Sequence, residues 1–451
     1  MKTKLICLAL SSVFFLVGCG KDSPKGADVP QPEIPIPEGG VAILSQPELP
    51  EKGADVPSIK NTDNEPITEA DKLLVKGANG FAYKMFAYVA SKSRNENLIL
   101  SPLSWEYAIA MVAAGASDEA RGELVNAMGW SSADRQQLSE YHRRLTKDLE
   151  TTSSERRLFV ANALWVDEQR VQKLKADYPP VMLKYFDAAM SVLNLSKGEA
   201  IRYINEWIER KSYGKIKNLL SEDLASDDLA MILTNVLYFN TPWDRPFSKA
   251  DTKKGEFMVA TGAKQEVEML RGCRTETLAD LPEAQILRLP TEKKGFFLDI
   301  ILPKNKKQEL TAEFFAKHDP IKVFAKEENA IMRTVDIYLP KYKFTTKSML
   351  LLNDADQEGA RQLGLSKITQ PGNLMGIMDN PNLLVSKVLQ KCMVGWDEKG
   401  VEAAAATAVI FTDTAAPEEP VEFKADHPFF FTISHAGSGK LMFLGRVNSI
   451  D

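Results

Sequence analysis

Histidine and cysteine are scarce in this chain, four of each in 451 residues. His142, His318, His427 and His435 fall in no HExxH motif and in no Cys/His cluster, so a zinc centre is not expected. No GxSxG nucleophile elbow occurs. Gly437-Ser438-Gly439-Lys440 has the tail of a phosphate loop, but a Ser stands at 434 where the first Gly would have to be. It reads as a turn between two strands. With no catalytic constellation, the chain is expected not to be an enzyme and to carry no metal or cofactor. A basic surplus is also missing: 56 Lys and Arg face 61 Asp and Glu, for a net charge of −5. That argues against nucleic acid as a partner, which needs a basic face. No apolar run reaches the roughly 20 residues of a transmembrane helix.

What is present begins with a leader. Met1-Lys2-Thr3-Lys4 is a short positive segment and Leu5 to Val17 is apolar, the pattern of a secretory signal peptide. Leu16-Val17-Gly18-Cys19 closes it and is similar to a bacterial lipobox, in which the Cys is lipidated and becomes the new N-terminus. Acyl chains on Cys19 would anchor the protein without a transmembrane helix. Cys7 leaves with the leader; Cys273 and Cys392 remain, too few for a disulfide framework. Two free, buried thiols are expected, with a single bridge left open. Residues 20–67 are rich in Pro, Glu, Gly and Asp, and Lys25-Gly26-Ala27-Asp28-Val29-Pro30 recurs at Lys52 to Pro57. Such a composition predicts a disordered, semi-extended tether.

From Thr68 the pattern changes. Leu74, Ala78, Phe81, Met85, Phe86 and Val89 predict a helix over 71–92. Ser101-Pro102 is a cap followed by a first-turn proline, opening a buried helix to Ala116. Strands are predicted over 159–167, 230–238, 297–302, 335–339, 385–394 and 429–434, with an amphipathic helix over 201–211. Helices and strands mix without regular βαβ alternation, which indicates an α+β domain over 68–451.

Several stretches taken together resemble the serpin family. They are Asn97 to Ser104, Ala161-Asn162-Ala163-Leu164-Trp165, Ile204-Asn205 with Trp207, and Gly214-Lys215-Ile216. Leu233 to Phe239 leads on to Trp243, Pro246 and Phe247. Asp397-Glu398-Lys399-Gly400, Phe423 to Phe429 and Phe443-Leu444-Gly445-Arg446 complete the set. They occur in the family's order. The resemblance implies the serpin fold, three β-sheets with about nine helices and an exposed reactive-centre loop, here about 400–420. It also implies a suicide-substrate protease inhibitor, whose cleaved loop inserts as a strand into the main sheet.

The residues suit that role. With period two, Val401, Ala403, Ala405, Thr407, Val409 and Phe411 share one face and carry no charge. No proline lies between Gly400 and Ala416 to remove a ladder donor. The resemblance makes Glu398, Gly400, Val401, Glu402, Ala403, Ala404, Ala405 and Ala406 the hinge, with Val401 where relatives often have Thr. It puts the scissile bond at Thr414-Ala415, with the register open over 411–416. Ser101, Ser104, Asn235 and Gln390 match the shutter beneath the sheet, Gln390 standing where His is frequent; Trp243 and Lys341 match the breach. An exposed Lys341–Glu398 ion pair is implied there. No Lys or Arg lies between Gly400 and Phe423, which disfavours trypsin-like targets. Thr and Ala suit elastase-like or subtilisin-like serine proteases, and papain-like cysteine proteases stay open. The expected molecule is a bacterial lipoprotein monomer, secreted across the inner membrane and held to the outer membrane on its periplasmic or exterior side. The alternative is a non-inhibitory binding protein of the same fold.

Overall fold

The computed structural model describes residues 8–18, 66–149, 157–291, 295–346, 349–353, 357–401 and 419–450. Residues 20–65 of the tether, Cys19, Glu402, Ala403 to Ala406, Thr414 and Ala415 lie outside them. The α-helices are α1 (Glu69–Lys92), α2 (Pro102–Gly115), α3 (Asp118–Ala127), α4 (Arg135–Leu149), α5 (Tyr178–Phe186), α6 (Gly198–Lys211), α7 (Ala312–Lys317), α8 (Pro320–Phe324) and α9 (Gln357–Leu363). The strands begin with β1 (Leu8–Gly18), β2 (Leu98–Leu100), β3 (Arg157–Asp167), β4 (Ala188–Leu193), β5 (Leu229–Pro242), β6 (Lys253–Met258), β7 (Lys264–Asp280), β8 (Ala284–Pro290) and β9 (Phe296–Pro303). They continue with β10 (Met332–Pro340), β11 (Tyr342–Thr345), β12 (Met349–Asn353), β13 (Leu383–Trp396), β14 (Gly400–Val401), β15 (Val421–Lys424), β16 (Phe429–His435) and β17 (Leu441–Val447).

Local chemistry sets the helix starts. Thr68 caps α1 in a capping box with Asp71, and the Ser101 hydroxyl accepts from the Ser104 amide at the start of α2. α2 is apolar on nearly every side and is buried almost throughout, as its composition requires.

Two hydrogen-bonded ladders organise the chain. The main sheet runs β11-β13-β1-β5-β3-β4, with β12 on β13 and β14 on β5. The second runs β15-β10-β7-β8-β9-β16-β17-β2, with β6 on β7. The three sheets that the resemblance implies appear as two ladders: β7, 17 residues long, pairs with β10 over Met269–Thr277 and with β8 over Thr277–Asp280 and so joins the two halves of the second one. α2 and β16–β17 pack beneath the main sheet in a large core, while α6 covers the opposite face with a smaller one. Along β5, Met231, Leu233, Leu237 and Phe239 enter the large core and Ile232 and Val236 the small one. The strand is therefore buried on both faces, which is why its sequence is nearly continuously apolar.

β1 comes from the segment read as a leader. It lies antiparallel between β5 and β13 and pairs with both. The thiols differ from expectation: Cys392 is buried, but Cys273 is exposed on β7. β7 alternates at this point, and residue 273 falls on its solvent side with Thr275 while Glu276 turns inward.

Candidate functional site

The chain leaving β13 turns at Asp397 and reaches β5 as β14. Gly400 pairs with Pro242 and Val401 with Thr241. Val401 has no solvent exposure and sits in the large core. The face on which the alternation places it is thus the core side.

Trp243 fastens this turn. Its indole N–H donates to the Asp397 carbonyl at 2.8 Å. Its amide donates to the Lys399 carbonyl at 3.0 Å, and the Phe247 amide to that of Glu398 at 2.7 Å. Glu398 lies 3.2 Å from the Lys341 ammonium, which also lies 3.0 Å from Glu268. The Thr252 hydroxyl donates to Glu398 Oε1 at 2.9 Å. This pair is not exposed as implied: the Glu398 side chain keeps 10% of its accessibility and Lys341 28%. Thr252 reaches the Glu398 carboxylate, while Trp243 and Phe247 hold the backbone of 397–399. Burial alone would raise the Glu398 carboxyl. A backbone hydrogen bond, Thr252 and Lys341 together hold it below the usual range instead. Burial likewise opposes charge on Lys341, but Glu268 and Glu398 outweigh it and raise its pKa. Asp397, next in line, is pushed up by burial.

The four residues that the resemblance assigns to a shutter divide. Ser101, Ser104 and Gln390 come together beneath the sheet. The Ser101 amide donates to Gln390 Oε1 at 3.2 Å, and Gln390 Nε2 donates back to the Ser101 carbonyl at 3.1 Å. Ser101 Oγ donates to the Met442 carbonyl at 3.1 Å. Asn235 instead donates to Asn162 Oδ1 at 2.7 Å, and Asn162 in turn to the Phe186 carbonyl at 2.7 Å. The ladder explains the split, since Ser12 of β1 is the Cα partner of both Asn235 and Gln390 and stands between their strands. All four residues are fully buried, so these bonds are held in a low dielectric where a lost partner is costly.

Sequence reasoning missed Thr252 and Glu268, which have no local signature, and gave no role to Asn162, named only within the stretch Ala161 to Trp165. It also missed a buried charge cluster under the turn at 437–440. Lys440 pairs with Glu106 of α2, and the Tyr141 hydroxyl donates to Glu106 Oε1 at 2.7 Å. Despite complete burial, Lys440 and His142 bring the Glu106 carboxyl down to about 2. A Lys directly before the apolar run Leu441 to Leu444 was the available signal.

The family model described as "Serpin (serine protease inhibitor)" matches residues 76–450. An uncharacterized serpin-like protein of Methanosarcina mazei is 30% identical over 379 residues, covering 82% of this chain and 85% of that one. Iripin-2 of Ixodes ricinus is 30% identical over 392 residues, covering 84% and 94%. Among solved structures, a native thermophilic serpin, tengpin, aligns with a TM-score of 0.72 at 24% identity, covering 86% of this chain and 96% of its own. A cleaved Serpin 42Da gives 0.72 at 22% identity, covering 85% and 100%.

Proposed function

This chain belongs to the serpin family, and from that premise we propose that it inhibits serine proteases as a suicide substrate, inserting its cut loop into the main sheet. The family is one of protease inhibitors rather than enzymes. One observation carries the finer reading: Val401 is already a rung on β5, buried at the mouth of the path a following strand would take. The β14 register, continued along β5, brings Ala403 opposite Phe239, Ala405 opposite Leu237, Thr407 opposite Asn235 and Val409 opposite Leu233. In an inserted strand those odd positions would share the core-facing side of Val401, and none is charged.

In the proposed reaction the protease serine attacks the Thr414 carbonyl. The Thr414–Ala415 bond breaks, Ala415 leaves as a free amine, and Thr414 stays as an ester on the enzyme. The freed segment then adds to the ladder. About a dozen strand residues at roughly 1 kcal/mol per hydrogen bond give on the order of 10 kcal/mol, comparable with a domain's whole stability. That suffices to deform an attached enzyme before water reaches the ester.

The absence of Lys and Arg between Lys399 and Lys424 supports elastase-like or subtilisin-like targets over trypsin-like ones. The lipobox-like Leu16 to Cys19 supports a mature chain lipid-anchored through Cys19, held off the bacterial envelope by the tether. Processed protein mixed with an elastase should form a covalent complex that survives SDS. Ala405→Arg should be cut without trapping, because its guanidinium would enter the core opposite Leu237. If the wild type is merely cut and the variant behaves identically, the proposal fails. Cys19→Ala should move the protein out of the detergent phase on partition.

A further inference from the structure

β1 occupies the rungs that the loop needs. Leu8 pairs with Phe239, Leu10 with Leu237, Ser12 with Asn235, Phe14 with Leu233 and Leu16 with Met231. Continuing the β14 register from Val401–Thr241 assigns those same partners to Ala403, Ala405, Thr407, Val409 and Phe411. On its other edge β1 takes β13, from Leu10–Cys392 to Gly18–Leu383. Both ladders are antiparallel, as is β14 on β5, so β1 and an inserted loop run in the same direction on the same rungs. A backbone amide or carbonyl on a rung serves one neighbouring strand at a time.

Composition agrees. Leu8 to Gly18 reads LALSSVFFLVG, without a charge or a proline, as a strand between two others must. The loop over 403–411 meets the same conditions but is mostly alanine. The larger apolar surface of the N-terminal segment favours it in competition for a buried position.

We propose that Leu8–Gly18 is an intramolecular occupant of the insertion slot, keeping the unprocessed chain unable to insert its loop. Hydrolysis of the Gly18–Cys19 bond arms the molecule. Water adds its hydroxyl to the Gly18 carbonyl and a proton to the Cys19 nitrogen, and the severed strand can then leave. An unprocessed chain is thereby also protected from inserting its own uncut loop before it reaches its destination. The arming step rests on the inhibitory reading above; the occupancy does not.

Occupancy is tested in the full chain bearing Cys7→Ser, Cys19→Ser and Cys273→Ser, which retains the leader and leaves Cys392 as the only thiol. Leu10→Cys should form a disulfide with Cys392 under diamide, since directly opposed residues of an antiparallel pair lie within bridging distance. Ser11→Cys is the register control, because its β13 partner is Lys391. Cross-linking at 10 well above that at 11 supports the inference; equal or absent cross-linking overturns it. Hydrogen exchange on the chain without a substitution in β1 provides the second measurement. The amides of 8–18 should exchange at least a hundredfold more slowly than in the free peptide, and free-peptide rates overturn the inference.

Arming is tested with elastase. The leader-bearing chain should be nicked without a trapped complex, whereas adding Ser12→Pro and Phe14→Pro, which remove ladder donors, should restore trapping. Equal trapping by both overturns the block. If β1 is found in place and neither form traps, the inhibitory reading falls while the occupancy stands.

Discussion

Lys440 and Glu106 form an ion pair with no solvent exposure on either side chain. It joins the turn before β17 to the middle of α2, and Tyr141 of α4 completes it. Removing Lys440 leaves the Glu106 carboxylate buried without its cation, with Tyr141 and His142 still beside it. Lys440→Met should therefore cost about 3–5 kcal/mol. Lys440→Met combined with Glu106→Gln should recover much of that loss. Urea unfolding of the two variants and the wild type measures both, and equal stability of the single and double variants would remove the pair's role.

Gly445 fits under an aromatic ring. A Cβ built there would lie 2.2 Å from Phe431 Cε1 and 2.4 Å from its Cζ. Phe431 is itself fully buried and packs against Trp396 and Tyr342, so the ring has little room to yield. Gly445→Ala should destabilise by about 1–3 kcal/mol through overpacking. Gly445→Ala with Phe431→Leu should be less impaired than the sum of the two single changes, a coupling that a double-mutant cycle reads directly.

These sites show what the sequence could and could not reveal. The stripe Leu74 to Val89 made α1 legible, and the continuous apolar run at Ala230 made β5 legible, because each pattern follows directly from local burial. The hinge assignment came only from resemblance: Glu398 and Lys341 are ordinary charges in the sequence, and their pairing beside Thr252 depends on distant segments meeting. Lys440 and Glu106 are hundreds of residues apart, and no local period marks such a pair. Leu8 to Gly18 is the most instructive case. An uncharged apolar run satisfies both a leader and a central strand, so composition could not reveal that it would lie between β5 and β13. β7 escaped prediction because Arg271, Arg274 and Glu276 interrupt its alternation; Arg274 and Glu276 neutralise each other at 2.9 Å inside the fold.

Asp426 gives the molecule an acid-sensitive contact. Its carboxylate lies 2.8 Å from His427 Nδ1 and 2.6 Å from the Lys306 ammonium. Burial would raise its pKa, but His427 and Lys306 bring it down to about 2 from an ordinary 3.8. A carboxyl depressed by folding stabilises the fold above its unfolded value, and that contribution fades as the pH falls through the folded one. The contact should be fully stabilising above about pH 4 and be lost between about pH 4 and 2, with a size of about 1–2 kcal/mol. Asp426→Asn should flatten the pH dependence in that window. An Asp426→Asn curve parallel to the wild type from pH 4 to 2 would contradict this.

Loop insertion makes an unusual thermal prediction for the processed chain. Trypsin has no Lys or Arg to cut between Lys399 and Lys424, whereas an elastase can cut after Thr414 or its small neighbours. Cleavage ordinarily lowers or leaves unchanged a melting temperature, because it releases chain entropy to the unfolded state. Here it should free 401–414 to fill the rungs on β5 and β13, adding on the order of 10 kcal/mol of ladder and burial. Elastase-nicked protein should therefore melt well above the intact form, with a new N-terminus at Ala415 or Ala416. Ala405→Arg, cut at the same bond, should show a much smaller rise because its inserted strand would carry a charge into the core. Calorimetry on the four samples, nicked and intact, separates insertion from simple loop clipping. Equal melting temperatures for nicked and intact wild type would leave only an exposed, cuttable loop.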